Sequence, residues 1–290
     1  MSAVSSAPRR RSWKDRTRRL VSPGAQYVIL SVVAVLALAP LLLMWSSAFK
    51  SQVEVAVNPL ALPTSLNLTN LIEAWTTGRY SKYVLNSVIV TVPTVVGVIA
   101  LSTLAGYGFA RLRLPGKRAL FFLILLGLMV PFQSYMIPLY FDLQSYGLLS
   151  TYLAVILPGI AVGLPFGVYF MQAFFRSLPA ELSDSGRVDG CNEFQVFWHI
   201  VLPLTAPGIS SLTIFTSLWT WNAFLMPLIF LNDEAHRTLP MGLMFFQSRY
   251  SSDYALISAG VLITSFPIIV VYLLLQRRFV QGLAAGALKG

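Results

Sequence analysis

Three of the four carboxylates in the polar stretch Ser177–Pro207, Glu181, Asp184 and Asp189, crowd beside the small residues Ser185, Gly186 and Gly190. Carboxylates at this density can pair with the basic groups of a partner, and residues without bulk let another backbone come close. The chemistry of turnover is missing. No G-x-x-x-x-G-K-[ST] phosphate loop occurs, because Gly116-Lys117 is followed by Arg118 and lacks the earlier glycine. No nucleophile–base pair stands out, and the two histidines, His199 and His236, are too far apart in sequence to suggest a shared metal site. The single cysteine, Cys191, excludes an internal disulfide. The stretch reads as a gripping element, without cofactor or metal.

Its local pattern is a helix–turn–helix. Pro179 suits the first turn of a helix, where Glu181 favours the positive end of the dipole. Gly190 suits a helix stop with positive φ. Asn192 followed by Gln195 is a capping-box spacing that starts a second helix. On that helix Phe194, Phe197, Trp198 and Val201 fall at i, i+3, i+4 and i+7, the spacing of one apolar face. Pro203 and Pro207 close it and open the next apolar run.

The elements on either side belong to a membrane. Hydrophobic residues make up 56% of the 290 and charged residues 11%, against about 25% charged in soluble domains. One water-soluble core does not bury that excess, so the solvent is lipid. Six apolar runs follow in order, roughly 27–49, 83–110, 119–140, 152–175, 208–231 and 255–275, and none holds an Asp, Glu, Lys, Arg or His. Each has about the 20 residues that cross a bilayer, and at about −0.3 to −0.6 kcal/mol per central Leu, Ile, Val or Phe each inserts unaided. The expected fold is an all-α integral membrane protein of six transmembrane helices. Residues 1–24 form a basic tail, 25–290 the transmembrane domain, 177–207 its central loop and 276–290 its C-terminal tail.

Charge sets the orientation. The N-terminal tail carries Arg9, Arg10, Arg11, Lys14, Arg16, Arg18 and Arg19. Alternate loops on that side add Arg111, Arg113, Lys117, Arg118, Arg176, Arg187, Arg277, Arg278 and Lys289. Only Lys50, Arg79, Lys82, Arg237 and Arg249 of the 21 Lys and Arg remain on the other side. The positive-inside rule then places both termini in the cytoplasm. The tail is a topology signal, with attraction to anionic lipid as an accompaniment and no role with nucleic acid. The first span is too long for a cleaved signal peptide.

The external stretch 232–253 holds Pro240, Gly242, Phe245 and Phe246, which either meet an external partner or form an interfacial aromatic belt. Prolines in or beside every span (Pro40, Pro93, Pro131, Pro138, Pro158, Pro165, Pro227 and Pro267) mark kinks. Ion-coupled transporters place charge at membrane depth; these spans have none, so energy for any transport enters from outside the chain.

The central loop also carries a spaced signature. Asp184-Ser185-Gly186, then Gly190, nine residues, Ile200, Leu202 and Pro203 resemble the E-A-A-x-x-x-G-x(9)-I-x-L-P motif of permease subunits of binding-protein-dependent ABC importers. Asp184 stands for Glu, and Ser185 and Gly186 for the two alanines; glycine there costs up to about 1 kcal/mol of helix propensity. The run Trp221-Asn222-Ala223-Phe224-Leu225-Met226-Pro227-Leu228 and the ending Gln281–Gly290 are similar to the carbohydrate branch, strongest to its maltose-type second permease.

That resemblance implies a type I ABC importer permease in a bacterial or archaeal cytoplasmic membrane. It would pair with a second homologous permease, two cytoplasmic ATPase subunits that hold ATP and Mg²⁺, and an extracytoplasmic solute-binding protein. Glu181, Asp184, Ser185, Gly186, Asp189, Gly190, Ile200, Leu202 and Pro203 would dock the ATPase. The Phe194/Phe197/Trp198/Val201 face would either fill the ATPase cleft or pack back on the permease. The tail after Gln281 would contact the ATPase pair, and Pro240, Gly242, Phe245 and Phe246 the binding protein. Gln133, Tyr135, Trp219, Trp221 and Asn222 are eligible to line a sugar path, or to serve as helix–helix glue. A polyol or glycerol phosphate importer shares the loop, but an anionic solute calls for cations in the path. A non-transport membrane scaffold explains the hydropathy and leaves the loop unexplained.

Overall fold

The computed structural model describes residues 23–246 and 253–287, without the side chains at 23, 245, 275 and 277–287. The basic cluster Arg9–Arg19, Arg249 and Lys289 lie outside the described residues. Within them every regular element is helical. In chain order these are α1 Pro23–Ser47, α2 Gln52–Val57, α3 Thr69–Thr76, α4 Tyr80–Arg111, α5 Lys117–Leu126, α6 Phe132–Ser145 and α7 Leu153–Ser177. There follow α8 Glu181–Val188, α9 Glu193–Leu204, α10 Ala206–Trp221, α11 Leu225–Phe230, α12 Leu239–Gly242 and α13 Tyr254–Ala287.

Among the described residues four helical stretches, Gly24–Ser47, Tyr80–Arg111, Leu153–Ser177 and Tyr254–Leu274, are long and apolar enough to cross a bilayer. A fifth results if α9 and α10, bent by 73° at their junction, count as one. Two apolar runs read as continuous in the sequence are broken. The 119–140 run divides at Pro131, which has no N–H to continue a helix and holds an extended ψ of 139°. The 208–231 run divides at Asn222, whose amide takes the Leu218 carbonyl at 2.8 Å before α11 restarts at Leu225. The last helix continues without a break to Ala287, so the expected span and the start of the C-terminal tail share one element.

The centre is the α4–α7 pair. Gly159, Gly163 and Gly167 recur every fourth residue and meet Thr94, Val98 and Ser102 on α4, also every fourth. A Cβ on Gly163 would stand 2.7 Å from Val98 Cγ2, and one on Gly167 would strike the Ser102 side chain. Nearer the end, a Cβ on Gly106 would stand 2.7 Å from Met171 Cβ. Where no hydrophobic effect drives helices together, such close backbone approach supplies the packing energy. Around this pair α10 and α13 complete the body, and α1 leans on α13 through Trp45 Nε1–H, which donates to Ser265 Oγ at 3.2 Å.

Buried polar side chains at the end of the bundle opposite α8 and α9 hold the connections down. Asn86 donates to the Ala235 and Arg237 carbonyls at 2.9 and 2.8 Å and accepts from Tyr152 Oη at 2.7 Å. Ser87 Oγ accepts from the Leu239 N–H at 2.8 Å. Lys50, counted above among the cations of the external loops, is fully buried and donates to the Pro59 carbonyl at 3.2 Å.

Candidate functional site

The helix pair between α7 and α10 is built as its pattern requires. α8 starts at Glu181, with Pro179 just ahead of it, and Glu181 and Asp184 occupy its first turn. Gly190 has φ +86° and stops α8. The Cys191 N–H reaches back to the Gly186 carbonyl at 2.9 Å and the Gly190 N–H to Arg187 at 3.1 Å. Asn192 and Gln195 close the capping box, each side chain accepting from the other's backbone N–H at 2.9 Å.

Two links hold the pair rigid. Arg187 bridges the helices, donating to Asp184 Oδ1 at 2.6 Å and to Glu193 Oε1 at 2.8 Å. The hydrogen bond from Arg187 holds the Glu193 carboxyl below its ordinary pKa, against a smaller desolvation effect. Gly186 is buried, and a Cβ there would press on Ile200 Cδ1. Its lack of bulk therefore closes α8 on α9 within the chain, and the expectation that it opens the surface to a partner backbone is corrected. Asp184 is likewise engaged by Arg187, whereas Glu181, Ser185, Asp189 and Pro203 are exposed and Ile200 and Leu202 half-buried.

The pair is also tied to the spans. Tyr107 of α4 donates to Glu193 Oε2 at 3.2 Å, and its ring packs on Phe175 and Phe197 with centroids 5.7 and 4.9 Å away. Arg111 donates to the Phe175 and Leu178 carbonyls at 2.9 and 2.7 Å, capping the C-terminus of α7. Sequence reading counted Arg111 only as a topology charge and passed over Tyr107. Both are contacts across more than sixty residues, and no local spacing announces them.

The single apolar face expected on α9 is corrected. Residues Val196–Val201 form a π-helical turn, which widens the winding and separates positions that an α-helix would align. Phe197 and Val201 are buried at 4% and 2% exposure, whereas Phe194 and Trp198 are 68% and 54% exposed. The two exposed rings stack on each other, centroids 6.2 Å apart and planes 11° from parallel. One half of the expected face packs back on the chain, and the other is presented outward, as Glu181 and Asp189 are, from a compact element fixed to α4 and α7.

Residues 98–284 match the family described as the binding-protein-dependent transport system inner membrane component. The chain belongs to that family. A probable ABC transporter permease protein, YurM of Bacillus subtilis, is 39% identical over 96% of this chain and 93% of its own length. The diacetylchitobiose uptake system permease protein NgcG of Streptomyces coelicolor is 34% identical over 91% of this chain and 88% of its own. The fold matches a chain of a bacterial ABC transporter involved in import of the acidic polysaccharide alginate. That match has a TM-score of 0.76 and 22% identity, covering 94% of this chain and all of the other.

Elsewhere in the permease, the path and partner residues fall into different places. Trp219 is half exposed and, packed on Phe166 at 5.0 Å, lines a cavity of about 320 Å³ with Thr216, Thr220 and Met226. Tyr135 lines a second of about 650 Å³, and Gln133 and Asn222 are exposed. Trp221 takes the second of its two expected roles: it is buried, and its Nε1–H donates to the Thr264 carbonyl at 3.0 Å, so it glues α10 to α13. The surface assignment of Pro240, Gly242 and Phe246 is also corrected. All three are buried. Phe246 stacks on Tyr80 at 5.9 Å and Gly242 abuts Tyr83, because α12 folds inward over the start of α4. The Phe245 side chain lies outside the description.

Proposed function

We propose that this permease forms, with a second homologous permease, the membrane path of an ATP-driven importer for a sugar or oligosaccharide handed over by an extracytoplasmic binding protein. Several relatives are named for such cargo, including the diacetylchitobiose system above. ATP and Mg²⁺ belong to two separate cytoplasmic ATPase subunits. α5 with α6 and α10 with α11 each complete one crossing, which gives six spans and cytoplasmic termini, in keeping with the charge asymmetry of the loops.

The observation that carries the reading is the clamped helix pair. Phe194, Trp198, Glu181 and Asp189 offer aromatic surface and negative charge outward, and a shallow cleft lined with basic groups on the ATPase suits them. Tyr107 and Arg111 carry displacement of the pair into α4 and α7. Closure of the ATPase dimer then moves a rigid lever and switches the path between its outward- and inward-open states. Trp219, Tyr135, Gln133 and Asn222 are the residues on this chain fitted to meet sugar, by ring faces and amides.

The test is ATP-dependent uptake by the transporter reconstituted in vesicles with Gly190→Val. Gly190 has open space around it, but its φ is one a β-branched residue does not tolerate. The turn between the helices should distort and uptake should fall while ATPase assembly is still measurable. Full uptake with this turn would reject the lever.

A further inference from the structure

At the same end of the bundle as the helix pair, a cavity of about 800 Å³ opens between the end of α4, the start of α5 and the end of α7. Its lining divides by chemistry. Phe109, Phe121 and Phe122 form an aromatic side, and Lys117, Arg118 and Arg176 bring three cations with no carboxylate among the lining residues. Lys117 Nζ is anchored on the Leu112 carbonyl at 3.0 Å; Arg118 and Arg176 make no ion pair among the described residues.

Two features point to a missing ligand. Gln172 lines the cavity at 9% exposure, and its amide has no hydrogen-bond partner among the described residues. The amide opens onto the cavity rather than into packed protein, so it is available to a ligand there. Independently, α5 opens on Gly116, which holds φ +68° and has no side chain to cap the helix. The Arg118 and Ala119 N–H groups consequently find no backbone acceptor. A ten-residue helix with free N–H groups, its positive dipole end and neighbouring cations is an anion seat.

We propose that this cavity binds the phosphate headgroup of an anionic phospholipid. The phosphate sits at the α5 N-terminus between Arg118 and Arg176, Gln172 donates to a headgroup or ester oxygen, and an acyl chain covers Phe121 and Phe122. Free phosphate shares the polar half of this chemistry. The lipid is favoured because the aromatic side continues onto the apolar surface of α5, where Phe122 and Leu123 are exposed and phosphate alone would cover neither. The proposal is independent of where the ATPase docks.

The assembled transporter is delipidated in detergent and titrated with phosphatidylglycerol, phosphatidylcholine or inorganic phosphate, with thermal unfolding and native mass spectrometry as readouts. Phosphatidylglycerol should raise the unfolding midpoint and stay bound; the other two should not. Arg118→Gln and Arg176→Gln should each weaken the response about tenfold, as expected for one charge-assisted bond. Gln172→Leu should match the parent without lipid yet respond less to it, and it carries the test if an arginine variant fails to assemble. Arg113→Gln, outside the cavity, should behave as the parent. Equal responses to the two phospholipids, or variants that respond as the parent does, would overturn the proposal. A full effect from inorganic phosphate would reassign the site to a soluble anion and overturn the lipid assignment.

Discussion

Arg111→Met cuts the tie between α4 and the start of the helix pair while keeping most of the side chain's apolar bulk. Arg111 makes its two short bonds, 2.9 and 2.7 Å, to carbonyls at the end of α7, that of Phe175 being shared with the Leu178 N–H at 3.3 Å. Hydrogen bonds to a charged group contribute about 1.5–3 kcal/mol each, and with water partly replacing the lost donor the pair should lose about 2–4 kcal/mol of docking stability. At about 1.4 kcal/mol per decade, local opening of the pair should become roughly 30-fold or more frequent. Hydrogen exchange of the amides in α8 and α9, measured on the assembled transporter, reads that opening directly. Protection there should fall by the stated factor while the α4–α7 interface keeps its own. Uptake per ATP hydrolysed should drop with it, because a loosened lever dissipates motion. Unchanged protection in α8 and α9 in a folded, assembled variant would refute the reasoning, whatever uptake did.

Three other outcomes follow from the same geometry. Gly167→Ala should destabilise the bundle by about 1–3 kcal/mol by overpacking, and Ser102→Gly in the same chain should recover much of it; additive losses in unfolding measurements would remove the close α4–α7 contact from the account. Phe194→Ala with Trp198→Ala should leave the unfolding midpoint of the isolated permease nearly unchanged, since both rings are exposed, yet weaken ATPase binding in a pull-down titration. Glu193 has a lowered carboxyl pKa, so its contribution to holding α9 is complete above the ordinary carboxylate range, about pH 4.3. It should be lost as pH falls through the lowered value. Hydrogen exchange of α9 against pH should show that loss, and Glu193→Gln should abolish it.

Local rules made much of the site legible. The glycine stop at Gly190 and the Asn192–Gln195 box depend on a few adjacent residues, and both stand as the spacing required. Four of the six apolar runs coincide with helices long and apolar enough to cross a bilayer among the described residues, because hydropathy needs no tertiary knowledge. What failed needed geometry that sequence does not contain. The π-helical turn in α9 splits an apolar face that assumes 3.6 residues per turn. Pro240, Gly242 and Phe246 are residue types that serve a surface or a core equally well, and the fold of α12 over Tyr80 and Tyr83 decides for the core. The every-fourth glycines of α7 were readable in principle as a close-packing stripe.

The central claim is that energy enters the permease through the outward-facing half of α9. A benzophenone side chain substituted for Trp198 in the reconstituted, uptake-competent transporter tests it most directly, with the same probe substituted for exposed Tyr146, in the α6–α7 connection, as control. The account predicts light-induced adducts with the ATPase subunit from position 198, changing in yield with ATP, and none from position 146. Absence of an ATPase adduct from position 198 in a transporter that still imports would contradict it.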